Sequence, residues 1–175
     1  TRSNTISAEK KQINHIHLAD NTAYVATGFG IVEVNPETLE FGDTCYFGST
    51  IDRIHVNQVF VFENAMHAAT EQGLFKISQT HPNKLEFLFW DKLATGNWAS
   101  IWVQDNSLYA AKNEGSSLSF FELGNTVEKK ATFPGLLKHI APHENGVLIT
   151  VSNRIYDTDK SFVRTQTIGD LEGVK

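Results

Sequence analysis

One feature limits what this chain can fold into more than any other: a pattern of about forty residues that recurs four times. The first copy reads Ala23-Tyr24-Val25-Ala26-Thr27, then Gly30-Ile31-Val32-Glu33-Val34. The second reads Met66-His67-Ala68-Ala69-Thr70, then Gly73-Leu74-Phe75-Lys76-Ile77. Leu108-Tyr109-Ala110-Ala111 with Leu118-Ser119-Phe120-Phe121 forms the third, and Val147-Leu148-Ile149-Thr150 with Arg154-Ile155-Tyr156 the fourth. Ala26, Ala69, Ala111 and Thr150 align at steps of 43, 42 and 39 residues. A fixed period of this length marks a repeat architecture, in which each unit buries its apolar face only against a neighbour.

Each copy has the same internal order. An apolar strand opens it, at Ile13 to Leu18, Asn57 to Phe62, Ala99 to Val103 and Leu137 to Ala141. Turns are expected at Asp20-Asn21, Glu63-Asn64, Asp105-Asn106 and Asn145-Gly146, because Asn, Asp and Gly tolerate positive φ at low cost. The alanine-rich strand follows, then a strand opening near Gly. Fourth strands are expected at Leu39 to Phe47, Leu85 to Trp90, Val127 to Phe133 and Phe162 to Ile168. Four short antiparallel strands per repeat is the arithmetic of a β-propeller blade. Small residues in the second strand let neighbouring blades approach near a common axis, and larger ones elsewhere fill the space between blades. A β-sandwich would also show many short strands, but it has no reason to repeat Ala-Thr and Gly-Ile elements at one period. Helical periodicity is weak, with one short turn expected around Pro36-Glu37-Thr38.

The fold class is therefore all-β, about four four-stranded antiparallel blades, as part of a larger ring. The expected division is a polar lead-in over 1–12 and blades over 13–50, 51–96, 97–135 and 136–170, with 170–175 a linker or the start of another blade. An open array of four would leave apolar blade faces uncovered, so self-association is an alternative to a larger ring.

Composition narrows the function classes. A net charge of −5 argues against a broad electrostatic hold on nucleic acid or on an anionic membrane. No apolar run is long enough to cross a bilayer as a helix. The one cysteine, Cys45, excludes an internal disulfide and a multi-cysteine metal site. A start at Thr1-Arg2-Ser3 fits a processed secreted protein or an excised segment equally.

Several elements resemble successive parts of one blade in a known group. They are Ile13-Asn14-His15-Ile16, Tyr24 to Ile31 and Asp43 to Gly48, then Ala68 to Phe75 with Leu85 and Phe89-Trp90. The chain resembles the N-terminal propeller of PorZ-like proteins, surface components of the bacterial type IX secretion system. It is also similar to the two-component-regulator propeller repeats of periplasmic sensors, although the Trp-rich strand and the Gly-Leu-Asn-Arg element of those repeats are missing. The resemblance covers residues 13 to 96; the third and fourth blades match in outline only. It implies a secreted, non-enzymatic propeller of the envelope, periplasmic or on the cell surface, that docks with a protein partner or with surface polysaccharide. A ligand-sensing propeller and a polysaccharide-acting enzyme are the alternatives.

No cofactor or metal is expected, and no catalytic set. His15 and His17 share one face of a predicted strand but need a third ligand to hold a metal. His139 and His143 flank Pro142, His55 and His81 have no motif around them, and His67 takes the place of Tyr24 and Tyr109, which points to packing. Cys45 reads as a buried inert thiol. Gly28-Phe29-Gly30 lacks the third Gly, the Lys and the helix of a phosphate loop and reads as a hairpin turn. No Gly-x-Ser-x-Gly elbow is present. The dense aromatic group Phe87, Phe89, Trp90, Trp98 and Trp102 packs between blades or forms a platform. Trp90, Trp98 and Trp102 are the candidate partner or glycan surface.

Overall fold

The computed structural model describes residues 6–170. The expectations for Thr1 to Thr5 and for the tail beyond Asp170 lie outside the described residues. The chain divides into two compact units, Thr1–Ile101 and Trp102–Lys175.

Among the described residues are four four-stranded sheets, each a meander whose sequence neighbours are hydrogen-bonded neighbours. The first holds β1 (Ile13–Ala19), β2 (Thr22–Thr27), β3 (Gly30–Val34) and β4 (Phe41–Tyr46). The second holds β5 (Val56–Phe62), β6 (Ala65–Thr70), β7 (Gly73–Ser78) and β8 (Asp91–Thr95). The third holds β9 (Asn97–Gln104), β10 (Ser107–Glu114), β11 (Ser117–Leu123) and β12 (Val127–Pro134). The fourth holds β13 (Leu137–His143), β14 (Gly146–Val151), β15 (Arg154–Asp159) and β16 (Arg164–Asp170). Among the described residues no strand leaves its sheet for another, as a Greek-key sandwich requires; these are propeller blades.

Local chemistry explains the repetition. Asp20, Glu63, Asn64, Asp105 and Asn106 all take positive φ between 47° and 60°, the tight-turn conformation that joins first and second strands. After the second strand a threonine closes the next turn. Thr27 Oγ1 donates to the Gly30 carbonyl at 2.9 Å, and Thr70 Oγ1 to the Gly73 carbonyl at 2.7 Å. Gly30 and Gly73 sit where a β-carbon would run into the fourth strand, against the carbonyls of Cys45 and Ala94 respectively. The recurring Ala-Thr…Gly signature thus encodes a turn and a close strand approach.

In the first unit the facing sides of two sheets interlock. Tyr24, Ala26, Ile31 and Cys45 meet Val59, Met66, Ala68, Phe75 and Ile77, with Phe47 and Trp90 filling the space between them. Ala26 and Ala68 are fully buried, so the sheets close on methyl groups. At the first strands the seam is bracketed by side chains. Asn14 Nδ2 donates to the Val56 carbonyl at 2.8 Å, and 43 residues on, Asn57 Nδ2 donates to the Trp98 carbonyl, also at 2.8 Å. Gln58 Oε1 accepts from the Ile101 N–H at 2.7 Å and from Ser100 Oγ at 3.0 Å. First strands are sheet edges, and these amides satisfy one edge carbonyl of β5 and one carbonyl and one N–H of β9.

The second unit has its own core, with Trp102, Ala111, Leu118, Phe120 and Phe133 from the third sheet and Val147, Ile149, Val151, Tyr156 and Phe162 from the fourth. Gln104 Nε2 donates to the Gly146 carbonyl at 3.2 Å and Asn113 Oδ1 accepts from the Leu137 N–H at 3.2 Å, side-chain brackets of the same kind.

Three local expectations differ from the structure. The fourth strand of the second sheet is Asp91–Thr95, not Leu85 to Trp90. Phe87–Phe89 form a single 3-10 turn instead, because Phe87 and Trp90 turn inward onto Phe47. The fourth first-to-second-strand turn is Glu144-Asn145: Gly146 already pairs with His143, and its missing side chain makes room for the Thr158 carbonyl. Around Pro36-Glu37-Thr38 the chain makes a turn, not a helix, held by Asn35 Oδ1, which accepts from the Glu37 and Thr38 N–H groups. A 3-10 turn at Glu9–Lys11 packs its Lys10 backbone on Gly28.

Removing the bracket at Asn57 strands a carbonyl at a sheet edge. Asn57→Ala is expected to lower unfolding free energy by about 1–2 kcal/mol, read as a lower urea midpoint with unchanged slope.

Candidate functional site

The three tryptophans proposed as a binding surface lie inside. Trp90 is 6% exposed, Trp98 1% and Trp102 4%. Trp90 Nε1 donates to the Lys84 carbonyl at 3.0 Å, and its ring meets Phe47 edge-on at 4.9 Å. Trp98 Nε1 donates to the Thr95 carbonyl at 3.2 Å. Trp102 stacks on Tyr109 at 5.8 Å and meets Phe120 edge-on at 5.1 Å. As folded they present no ring face to a sugar or a peptide: Trp90 and Trp102 belong to the two hydrophobic cores, and Trp98 is buried. Of the same aromatic group, Phe89 alone reaches the surface, 40% exposed.

The titratable residues follow the same logic. His15 and His17 lie on the face of β1 that meets β5, each bonded to backbone there, at Val59 and Val61. His17 stacks on Phe60 at 4.1 Å. Burial pushes both imidazoles below the ordinary range, and the His15 charge pushes His17 further. Burial carries His67 down to about 4, helped by the Lys76 charge. Cys45 is buried, and its thiol is pushed up to about 12 by burial, which makes it a poor nucleophile. Among the described residues no group of three or more His, Cys, Asp or Glu converges as a metal site. On the second unit Glu114 is held near 2 by bonds from Ser119, Lys129 and Lys112, a self-satisfied surface cluster.

The connection between the first two sheets is the more distinctive surface. It is a miniature hairpin. The Phe47 N–H donates to the Phe29 carbonyl at 3.0 Å and the Ile54 N–H to the Phe47 carbonyl at 3.1 Å. Gly48 bridges Arg53, the Ser49 N–H donates to the Asp52 carbonyl at 3.0 Å, and the Asp52 N–H to Ser49 Oγ at 2.9 Å. The tip therefore has little freedom, and it carries Ile51 at 95% exposure. Beside it opens a cavity of about 410 Å³ lined by Ile6, Ser7, Lys10, Tyr46, Thr50, Ile51 and Arg53. Sequence reasoning passed over this segment. Its signal is one bulky apolar residue, Ile51, between the turn formers Ser49 and Asp52.

A second uncovered surface is the far face of the first sheet. Ile16, Leu18 and Phe41 are 54%, 67% and 82% exposed there. The counterparts of Ile16 and Leu18 in the second sheet, Val59 and Val61, pack in the core of the unit.

Meander blades bracketed at their first strands, with a rigid connection hairpin, define a β-propeller segment. The family profile for the type IX secretion system PorZ N-terminal β-propeller domain matches residues 1–91, and the chain belongs to that family. Among solved structures it is similar to PorZ of Porphyromonas gingivalis, described as an essential bacterial surface component of the type IX secretion system. The TM-score is 0.66 at 20% identity, over 87% of this chain and 20% of that one, so the match spans about a fifth of that protein. The Pan2 WD40 domain of Neurospora crassa superposes with TM-score 0.63 at 8% identity, over 90% of this chain and 49% of that one. A prolyl endopeptidase does so with TM-score 0.55 at 12% identity, over 86% of this chain and 25% of that one. Identities this low speak to fold and not to chemistry. No curated protein matches the chain.

The histidines make stability depend on pH. A buried His67 that titrates near 4 costs the fold about 3 kcal/mol when it is forced to protonate. Its pKa is lower in the folded state, so this stability is full above about 6.5 and is lost as pH falls towards 4. His67→Gln is expected to flatten that decline in urea midpoints taken between pH 7.5 and 4 (~3.5 pH units).

Proposed function

We propose that the chain is a non-enzymatic propeller scaffold of the bacterial envelope that docks protein partners at the cell surface as part of type IX secretion. The observation that carries this reading is the family match over residues 1–91. The connection hairpin supports it, because a preorganised loop with a projecting Ile51 loses little entropy when it binds. A protein partner is favoured over surface polysaccharide, since the three tryptophan rings, the best stacking faces for a sugar, are buried. The exposed Ile16, Leu18 and Phe41 fit a further blade packing on the first sheet, supplied by a longer ring or by a second chain.

The test is isolation of the tagged chain from the envelope of a bacterium that carries a type IX secretion system. Type IX components should co-purify with the wild type and be depleted at least tenfold with Ile51→Asp, whose change lies at an exposed tip and should leave Tm unaltered. Recovery of none of these components with the wild type, or equal recovery with the variant, contradicts the reading.

A further inference from the structure

We infer that the cavity beside the connection hairpin is a carboxylate site, built for the free C-terminus of a peptide that ends in an apolar residue. The inference rests on the docking reading above and adds the chemistry of what docks.

The lining is one-sided in charge. Among the described residues Lys10 and Arg53 line the cavity and no aspartate or glutamate does, although the chain as a whole carries −5. Several lysines elsewhere are matched with acids: Lys84 with Glu33, Lys129 with Glu114, Lys130 with Glu122 and Lys160 with Asp105. Among the described residues neither Lys10 nor Arg53 has a carboxylate partner. The two cations are nevertheless held in place. The Arg53 guanidinium lies over the Tyr46 ring, 4.5 Å from its centroid, and Lys10 Nζ donates to the Arg53 carbonyl at 3.3 Å. A guanidinium has five N–H donors, and its contact with the ring does not use them all; the ammonium keeps two of its three.

The remaining lining selects among anions. A planar guanidinium fork beside an ammonium matches the two oxygens of a carboxylate. Phosphate sites are commonly built from a run of free backbone N–H groups. Here the Ser49, Asp52 and Ile54 N–H groups are spent inside the hairpin, so the loop offers no long run of free backbone donors, and side-chain charge lines the cavity together with the hydroxyls of Ser7 and Thr50. Ile6 and Ile51 supply apolar wall next to that charge, suited to an apolar side chain on the carbon that bears the carboxylate. At about 410 Å³ the space lies at the small end of the range for small-ligand sites, enough for the end of a peptide and not for a folded domain.

Calorimetry with an N-acetylated hexapeptide ending in leucine, as the free acid and as the C-terminal amide, tests the site. The free acid should bind at least tenfold tighter than the amide, and Arg53→Gln should remove the difference. Lys10→Gln, which changes only the end of a surface side chain, should shrink it and carries the test if Arg53→Gln lowers Tm. Three results overturn the proposal: acid and amide bind alike, neither binds, or inorganic phosphate displaces the acid at lower concentration than acetate does. Should Ile51→Asp still abolish co-isolation of type IX components while acid and amide bind alike, the carboxylate chemistry falls and the docking reading stands.

Discussion

The close approach of neighbouring sheets is the constraint on which the rest of the structure depends. A four-stranded meander is too small to bury its own apolar faces, so each must press one against the next. In the first unit that approach is set by alanine methyl groups, with Ala26 and Ala68 at zero exposure. Two lateral devices then fix the register. Asn14 and Asn57 tie each first strand to the backbone of its successor, and the aromatic cluster of Phe47, Phe75, Phe87 and Trp90 fills the outer part of the gap. The brackets recur with the period of the sequence, which is why similar small blades follow one another.

Much of this was legible because the repeat writes its chemistry at fixed positions. Asp20, Glu63 and Asp105 turn where the sequence places turns, and the Thr27 and Thr70 hydroxyls close the turns that follow. What escaped the sequence was tertiary. Phe87 and Trp90 have the composition of a strand, but their contacts with the buried Phe47 ring draw them inward, and the strand starts at Asp91. Gly146 reads as a turn residue, but it is a strand residue whose missing side chain admits the Thr158 carbonyl. Tryptophans in a propeller sequence suit a sugar platform and an inter-sheet wedge equally, and side-chain direction, fixed only by the fold, decides between them.

Function follows the same division. The family is written in the first half of the chain, over residues 1–91, while the surface with the most distinctive chemistry is a short segment with no motif of its own. The hairpin from Phe47 to Ile54 spends the Ser49, Asp52 and Ile54 backbone donors internally, holds Arg53 over Tyr46 and projects Ile51. Its rigidity derives from the packing of Phe47 and Ile54 in the core of the first unit, so fold and docking surface share one set of contacts.

The measurement that tests the packing constraint most directly is urea unfolding of Ala26→Leu. If the first two sheets meet on that methyl group, the added branched carbon chain has no space and the variant loses about 1–3 kcal/mol. A variant as stable as the wild type would mean that the seam is open there, and that the sheets are not held face to face as described.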